Sequence, residues 1–256
     1  MKNTFYLIVI AAAVLMVSCG SNGGNSLSPE EEAMAKAAKN GILGNVGEEM
    51  LVRQAEKKKM KQLYKASREQ MEEEAMDEAE NAPSMDDMER IAKKYGQKWT
   101  DASEAVQAME DDWKVWRKAT VEQMKDQPLP MEIANGTPLK LVTPFTLKWF
   151  SEYSFDVVAT FELTIPRPHI TDHEHYYSKY YLPTVSALDE NGNPVTEPQP
   201  IKCTLIERYG DDLEAGTQLE LTCTFTNDPI DKELNHRDKA LTAKKLLISW
   251  EHPTDK

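Results

Sequence analysis

The chain is poor in the residue patterns from which catalytic and phosphate-binding centres are built. It has three cysteines in 256 residues and no Cys-x-x-C pair, which argues against thiol redox chemistry. It contains no Gly-x-Ser-x-Gly, no phosphate-cradling glycine-rich loop and no His-Glu-x-x-His, so the common signatures of acyl transfer, phosphate binding and zinc hydrolysis are missing. Cationic residues are in deficit, 30 Lys and Arg against 43 Asp and Glu, for a formal charge of -13. A nucleic-acid partner therefore lacks the basic surface it needs. Nor is there a long apolar run. The longest, Phe5 to Val17, has 13 residues, roughly 20 Å as a helix against the ~30 Å hydrocarbon core of a bilayer.

That run reads as the core of a signal peptide, with one positive charge before it at Lys2 and Ser18-Cys19-Gly20 after it. Leu15-Met16-Val17-Ser18-Cys19 resembles the lipobox of bacterial lipoproteins. The resemblance implies cleavage before Cys19, a diacylglycerol on its thiol and an acylated amine. Two acyl chains hold a protein stably on a membrane where one would be marginal. The Ser-Cys-Gly junction and the acidic mature chain resemble lipoproteins of the Bacteroidota. In that group an acidic cluster directly after the cysteine accompanies surface export. Here the first acidic residues are Glu30 to Glu32, which favours a periplasm-facing outer-membrane location. Residues 1–18 are thus expected to be a signal peptide, and the Gly/Ser/Asn-rich residues 19–27 a flexible tether.

Residues 28–126 hold 23 acidic and 17 basic residues, and only ten of the 99 are Leu, Ile, Val or Phe. Their Ala/Glu/Lys/Arg composition is that of long helices. Ser28-Pro29-Glu30-Glu31 is a helix start that should run to Asn40-Gly41. A second helix runs from Val46 to Glu80, with a weak stripe through Val46, Met50, Met60, Tyr64, Ser67 and Met71. Asn81-Ala82-Pro83-Ser84 breaks it, and Ser84 with Asp86 and Asp87 opens the next. There Met88, Ala92, Tyr95, Trp99, Ala102, Val106, Met109, Trp113, Trp116 and Thr120 alternate by four and three, a heptad seam. The expectation is an antiparallel, coiled-coil-like hairpin turning at Pro83, with a possible interruption at Gly96. So thin a unit gains from self-association or a protein partner.

The period changes to two beyond residue 137. Phe155, Val157, Ala159, Phe161, Leu163 and Ile165 alternate with polar neighbours as in a half-buried strand. Further strands are expected at Leu139–Thr143, Phe145–Ser151, Tyr180–Leu188, Ile201–Arg208, Gln218–Thr226 and Leu241–Trp250, with a turn at Asp189–Pro194. The fold class is therefore α+β, with residues 137–252 as an antiparallel β-sandwich resembling the immunoglobulin-like modules of bacterial envelope proteins. In a hairpin centred on Leu213, Cys203 faces Cys223, Leu205 faces Leu221 and Ile201 faces Phe225. A cross-strand disulfide follows, the alternative being two packed thiols.

One segment carries what candidate chemistry there is. On an extended chain His173 and His175 point the same way, and His169 or Asp172 would complete a zinc-type set. The bland reading is a solvated loop. Tyr176, Tyr177, Tyr180 and Tyr181 follow, able to stack on sugars, fill a partner's pocket or pack in the core. The leading expectation is a non-catalytic, lipid-anchored envelope protein that needs no cofactor and acts by tethering. A glycan- or small-ligand-binding lipoprotein using 169–181 is the alternative, and a metal-dependent hydrolase the third.

Overall fold

The structure is a computed structural model that describes residues 27–167, 182–203, 212–228, 230–231 and 234–250. It is an α+β protein: three helices, α1 (Pro29–Lys39), α2 (Asn45–Glu80) and α3 (Met85–Met124), precede the strands. The chain forms two compact units, one of Val52–Trp116 and one of Glu30–Leu51 together with the chain from Arg117 onward. The composition change near residue 126 separates helices from strands, whereas the compact units divide inside α2 and inside α3.

Helix boundaries follow local chemistry. Ser84 caps α3: its hydroxyl accepts from the Asp87 N–H at 3.2 Å and donates to the Asp87 carboxylate at 2.7 Å, a reciprocal cap that stabilises a helix start by about 1 kcal/mol. Gly96 does not break α3, which is continuous through it. Its missing side chain faces open space, so the residue costs propensity without serving packing.

The strand unit contains β1 (Met131–Ile133), β2 (Leu139–Phe150), β3 (Ser154–Leu163), β4 (Thr184–Leu188), β5 (Gln199–Lys202), β6 (Gln218–Thr226) and β7 (Lys245–Ser249), with a short helix α4 (His236–Thr242) before β7. They make one seven-stranded sheet in the order β1-β7-β4-β5-β6-β3-β2. It is mixed, because β1 runs parallel to β7. The purely antiparallel immunoglobulin-like sandwich expected from strand spacing is thus replaced by a single mixed sheet that nearly closes. Strand β5 turns the corner by pairing with β4 through Gln199 and Pro200 and with β6 through Ile201 and Lys202. Just before β1, the Leu129 N–H donates to the Phe145 carbonyl of β2 at 2.8 Å, joining the two edges. Bringing the two edges together limits the open strand edge that would otherwise invite association.

The two expected strands at 139–151 are one strand, β2, with register shifts between Leu141 and Thr143, Thr143 and Thr146, and Leu147 and Trp149. Pro144 sits inside the middle shift, where an edge strand tolerates a residue without an N–H. Residues 241 and 242 end α4 instead of starting a strand, and Asn227 Oδ1 accepts from the Asp238 N–H at 3.1 Å within it. The core is the inward row of β3 (Phe155, Val157, Ala159, Phe161, Leu163) against Phe145, Leu147, Leu219, Leu221 and Phe225. Phe155 stacks on Phe225 at 5.1 Å, and Phe145 meets Phe161 edge-on at 5.9 Å.

Within this unit α1 docks on α4 through Gly41. A Cβ there would lie 1.9 Å from the Leu241 carbonyl oxygen, and the Lys244 ammonium reaches the Asn40 carbonyl at 2.7 Å. The cysteine hairpin is corrected by two residues: Ile201, not Cys203, stands opposite Cys223. An even shift keeps both cysteines on the buried face but removes the direct opposition of their sulfurs. Both are buried thiols. The reason is long-range: β5 must also pair with β4, and that contact sets its position along β6.

Three outcomes test this packing. Gly96→Ala should stabilise the helical unit by about 1 kcal/mol in denaturant titration. Gly41→Ala should destabilise the strand unit by about 1–3 kcal/mol, because the backbone carbonyl it meets cannot move aside cheaply. Burial, with Asp156 adding to it, pushes the Cys223 thiol well above its ordinary range, so maleimide should label it only after unfolding. Labelling of the native protein at Cys223 at neutral pH would contradict the buried placement.

Candidate interaction surface

The residues first singled out for chemistry fall mostly elsewhere. Cys19, His169, Asp172, His173, His175, Tyr176, Tyr177, Tyr180 and Tyr181 lie outside the described residues. Among the described residues no three His, Cys, Asp or Glu side chains assemble as a metal site, and no helix is long and apolar enough to cross a membrane. The surface with the most distinctive construction is the hairpin formed by α2 and α3.

Its two helices have too few aliphatic side chains to pack as an oily seam, and polar and aromatic contacts take their place. Lys57 is only 3% exposed. Its ammonium lies 2.5 Å from the Glu110 carboxylate and 5.7 Å from the Trp113 ring centre. Lys61 reaches the same carboxylate at 3.2 Å. Arg53 pairs with Asp112 at 2.7 Å while its guanidinium lies 4.6 Å over Trp116. Further along, the Trp99 indole N–H donates to the Tyr64 hydroxyl at 3.2 Å, under the Arg68 guanidinium at 5.0 Å. Nearer the turn, the Tyr95 hydroxyl and the Lys94 ammonium both donate to Glu78, at 2.8 and 2.5 Å. Partners descend α2 as they ascend α3, which fixes the antiparallel register. Cation–aromatic contacts of this kind contribute about 0.5–2 kcal/mol each, more as water is excluded.

The expected heptad seam is only partly the packed one. Tyr95, Trp113 and Thr120 are buried, whereas Met88 and Trp99 are 44% and 40% exposed. The seam pattern on α3 overstates burial near the turn because α2 offers no matching apolar row there.

At the turn the surface changes character. Residues 69–89 contain ten Asp and Glu and no Lys or Arg. Glu69, Glu72, Glu74, Glu78 and Asp87 pair with bases just outside this segment. Glu73, Asp77, Glu80, Asp86 and Glu89 make no ion pair among the described residues. Around them Met76 and Met85 are 66% and 78% exposed. An open depression at the turn is lined by Glu78, Asn81, Pro83, Asp87, Arg90 and Lys94. Asp86 and Asp87 suit the positive end of α3, but α2 ends on Asp77, Glu78 and Glu80 with no base in its last turn. Carboxylates at the negative end of a helix dipole cost about 0.3–1 kcal/mol each. Sequence inspection passed over this segment, although the gap in basic residues between Arg68 and Arg90 marks it.

No family model, no curated protein and no solved structure matches the chain. The class that fold and surface define is an α+β protein with a charged helical hairpin.

Acid should loosen the hairpin before the strand unit. Hydrogen bonds from Lys94 and Tyr95 hold Glu78 below the ordinary carboxylate range. For Glu110, burial alone would raise the value, but hydrogen bonds from Lys57 and Lys61 outweigh it and leave it lowered. A carboxylate with a depressed folded-state pKa contributes stability above its unfolded value, and that contribution is lost as pH falls through the folded one. Helical ellipticity should therefore fall as pH drops below about 4.5 while near-ultraviolet signals of the strand core persist. Glu110→Gln should remove part of that dependence. Acid unfolding unchanged in the variant would show that these pairs do not hold the hairpin.

Proposed function

We propose that the chain is a lipid-anchored cell-envelope protein without catalytic activity, tethered through Cys19 and making contact with a protein partner through the hairpin. The observation that carries this reading is the hairpin turn itself, where exposed methionines and carboxylates without an ion pair among the described residues occupy positions that packing does not require. Methionine side chains are flexible and polarizable, and they adapt to partner surfaces. Anchoring confines such a surface to one membrane face and raises its effective concentration for a partner there.

The tether has a geometric consequence. Gly20 to Ser28 is nine residues, which fully extended reach about 30 Å. Helix α1 follows directly and docks on α4, so a lipid at Cys19 would keep the strand unit within that distance of the bilayer. The outer-membrane, periplasm-facing location belongs to the same proposal and rests on the sequence around Cys19.

Cys19→Ser should move the protein from the membrane to the soluble fraction with its circular dichroism unchanged; retention on the membrane would remove the anchor. Photo-crosslinking residues placed at Met76 or Met85 of the full chain in intact cells should give one adduct of reproducible mass. The same residue at Lys58, on the hairpin body, should not. No adduct at either tip position would end the tethering reading.

A further inference from the structure

The tip of the hairpin selects the chemistry of its partner. We propose that it receives a Lys/Arg-rich amphipathic helix of another protein, apolar side chains on Met76, Met85 and Met88, cations on Glu73, Asp77, Glu80, Asp86 and Glu89. The inference rests on the tethering reading and adds the chemical class of the partner.

Three observations carry it. Glu73, Met76, Asp77 and Glu80 stand at i, i+3, i+4 and i+7 on α2, so they form one outward stripe. All four are exposed. Met85, Met88 and Glu89 stand at i, i+3 and i+4 at the start of α3, with Asp86 beside them, and all of these are exposed too. Each helix thus presents thioether side chains flanked by carboxylates that make no ion pair among the described residues. Second, α2 ends in acid without a base in its last turn, an arrangement opposed by the helix dipole that a cation brought by a partner would relieve. Third, the charge decides among occupants. A second copy of the tip, an anionic lipid surface and a nucleic acid would each meet like charge, and only a cationic segment is attracted. An amphipathic helix supplies both an apolar strip and flanking cations at matching spacing.

The test uses the full chain in nonionic detergent, with protein-free micelles as the blank, and an 18-residue helical peptide of leucine and lysine carrying a fluorophore. Fluorescence anisotropy should show saturable binding that weakens at least tenfold between 50 and 300 mM salt. A leucine–glutamate peptide of the same length should not bind. The variant Glu73→Gln/Asp77→Asn/Glu80→Gln/Asp86→Asn/Glu89→Gln should lose at least tenfold in affinity, and Met76→Ser/Met85→Ser/Met88→Ser at least fivefold, both with wild-type helical content. Glu30→Gln/Glu104→Gln/Glu190→Gln/Glu197→Gln/Glu214→Gln, an equal neutralisation elsewhere, should stay within twofold of wild type. Equal losses in the two charge variants would reduce the effect to diffuse attraction and overturn the proposal. So would unaltered binding in the methionine variant, no binding by the wild type, or unfolding of the tip variants, which would make these residues structural. If tip adducts form in cells but map to a segment without Lys and Arg, the partner chemistry is wrong and tethering stands. If no adducts form, tethering itself has failed.

Discussion

The hairpin depends on placing one ammonium group out of water. Lys57 lies between the Glu110 carboxylate and the Trp113 ring, and this position admits only one alignment of α2 against α3. A slip by one turn would leave the charge buried without that carboxylate, and truncating one side of an enclosed pair is costly. An aliphatic seam would be stronger per residue but less selective, since leucines accept many alignments. With ten Leu, Ile, Val and Phe in 99 residues, this helical region gains its register from charge and aromatic rings instead.

The strand unit obtains its register differently, by closure. The five strands between β1 and β2 are each held from both sides, and β5 is held by two partners along its four residues. Leu129 links the edges, and Gly41 lets α1 approach α4 to a distance no side chain would permit. Large aromatic side chains on β3 and β6 then fill the interior. The two units thus solve the same problem, choosing one alignment among many, with different residues because their compositions differ.

The proposed contact surface lies where these constraints relax. Along the body of the hairpin nearly every charged group facing the seam has a partner. At the turn, among the described residues, the partners run out, and the carboxylates that remain are accompanied by exposed methionines. A protein optimised only for stability would place bases at the end of α2 and polar side chains at positions 76 and 85. Their absence is why we propose the turn as the place for a second molecule, and the surplus of acid is why that proposed molecule is cationic.

Much of the fold was legible from local pattern. The Ser84 cap, the two long helices, the turn at Pro83, the inward row of β3 and the limits of β6 each depend on neighbours a few residues away, and periodicity reports such neighbours directly. The seam residues on α3 were legible as a stripe but not as a burial pattern, because exposure at Met88 and Trp99 is decided by what α2 brings opposite. Helix α4 and three-residue β1 are too short to carry a period. Cys203 and Cys223 were placed on the right face and in the wrong register, since parity is local whereas alignment depends on β4, a partner outside the hairpin. The sequence by itself determined the long helices and the inward rows of the longer strands, because those follow from backbone propensity and hydrophobic spacing. Tertiary structure alone decided the mixed, nearly closed sheet and the register of each pairing, because each depends on groups far apart in the chain competing for the same neighbours.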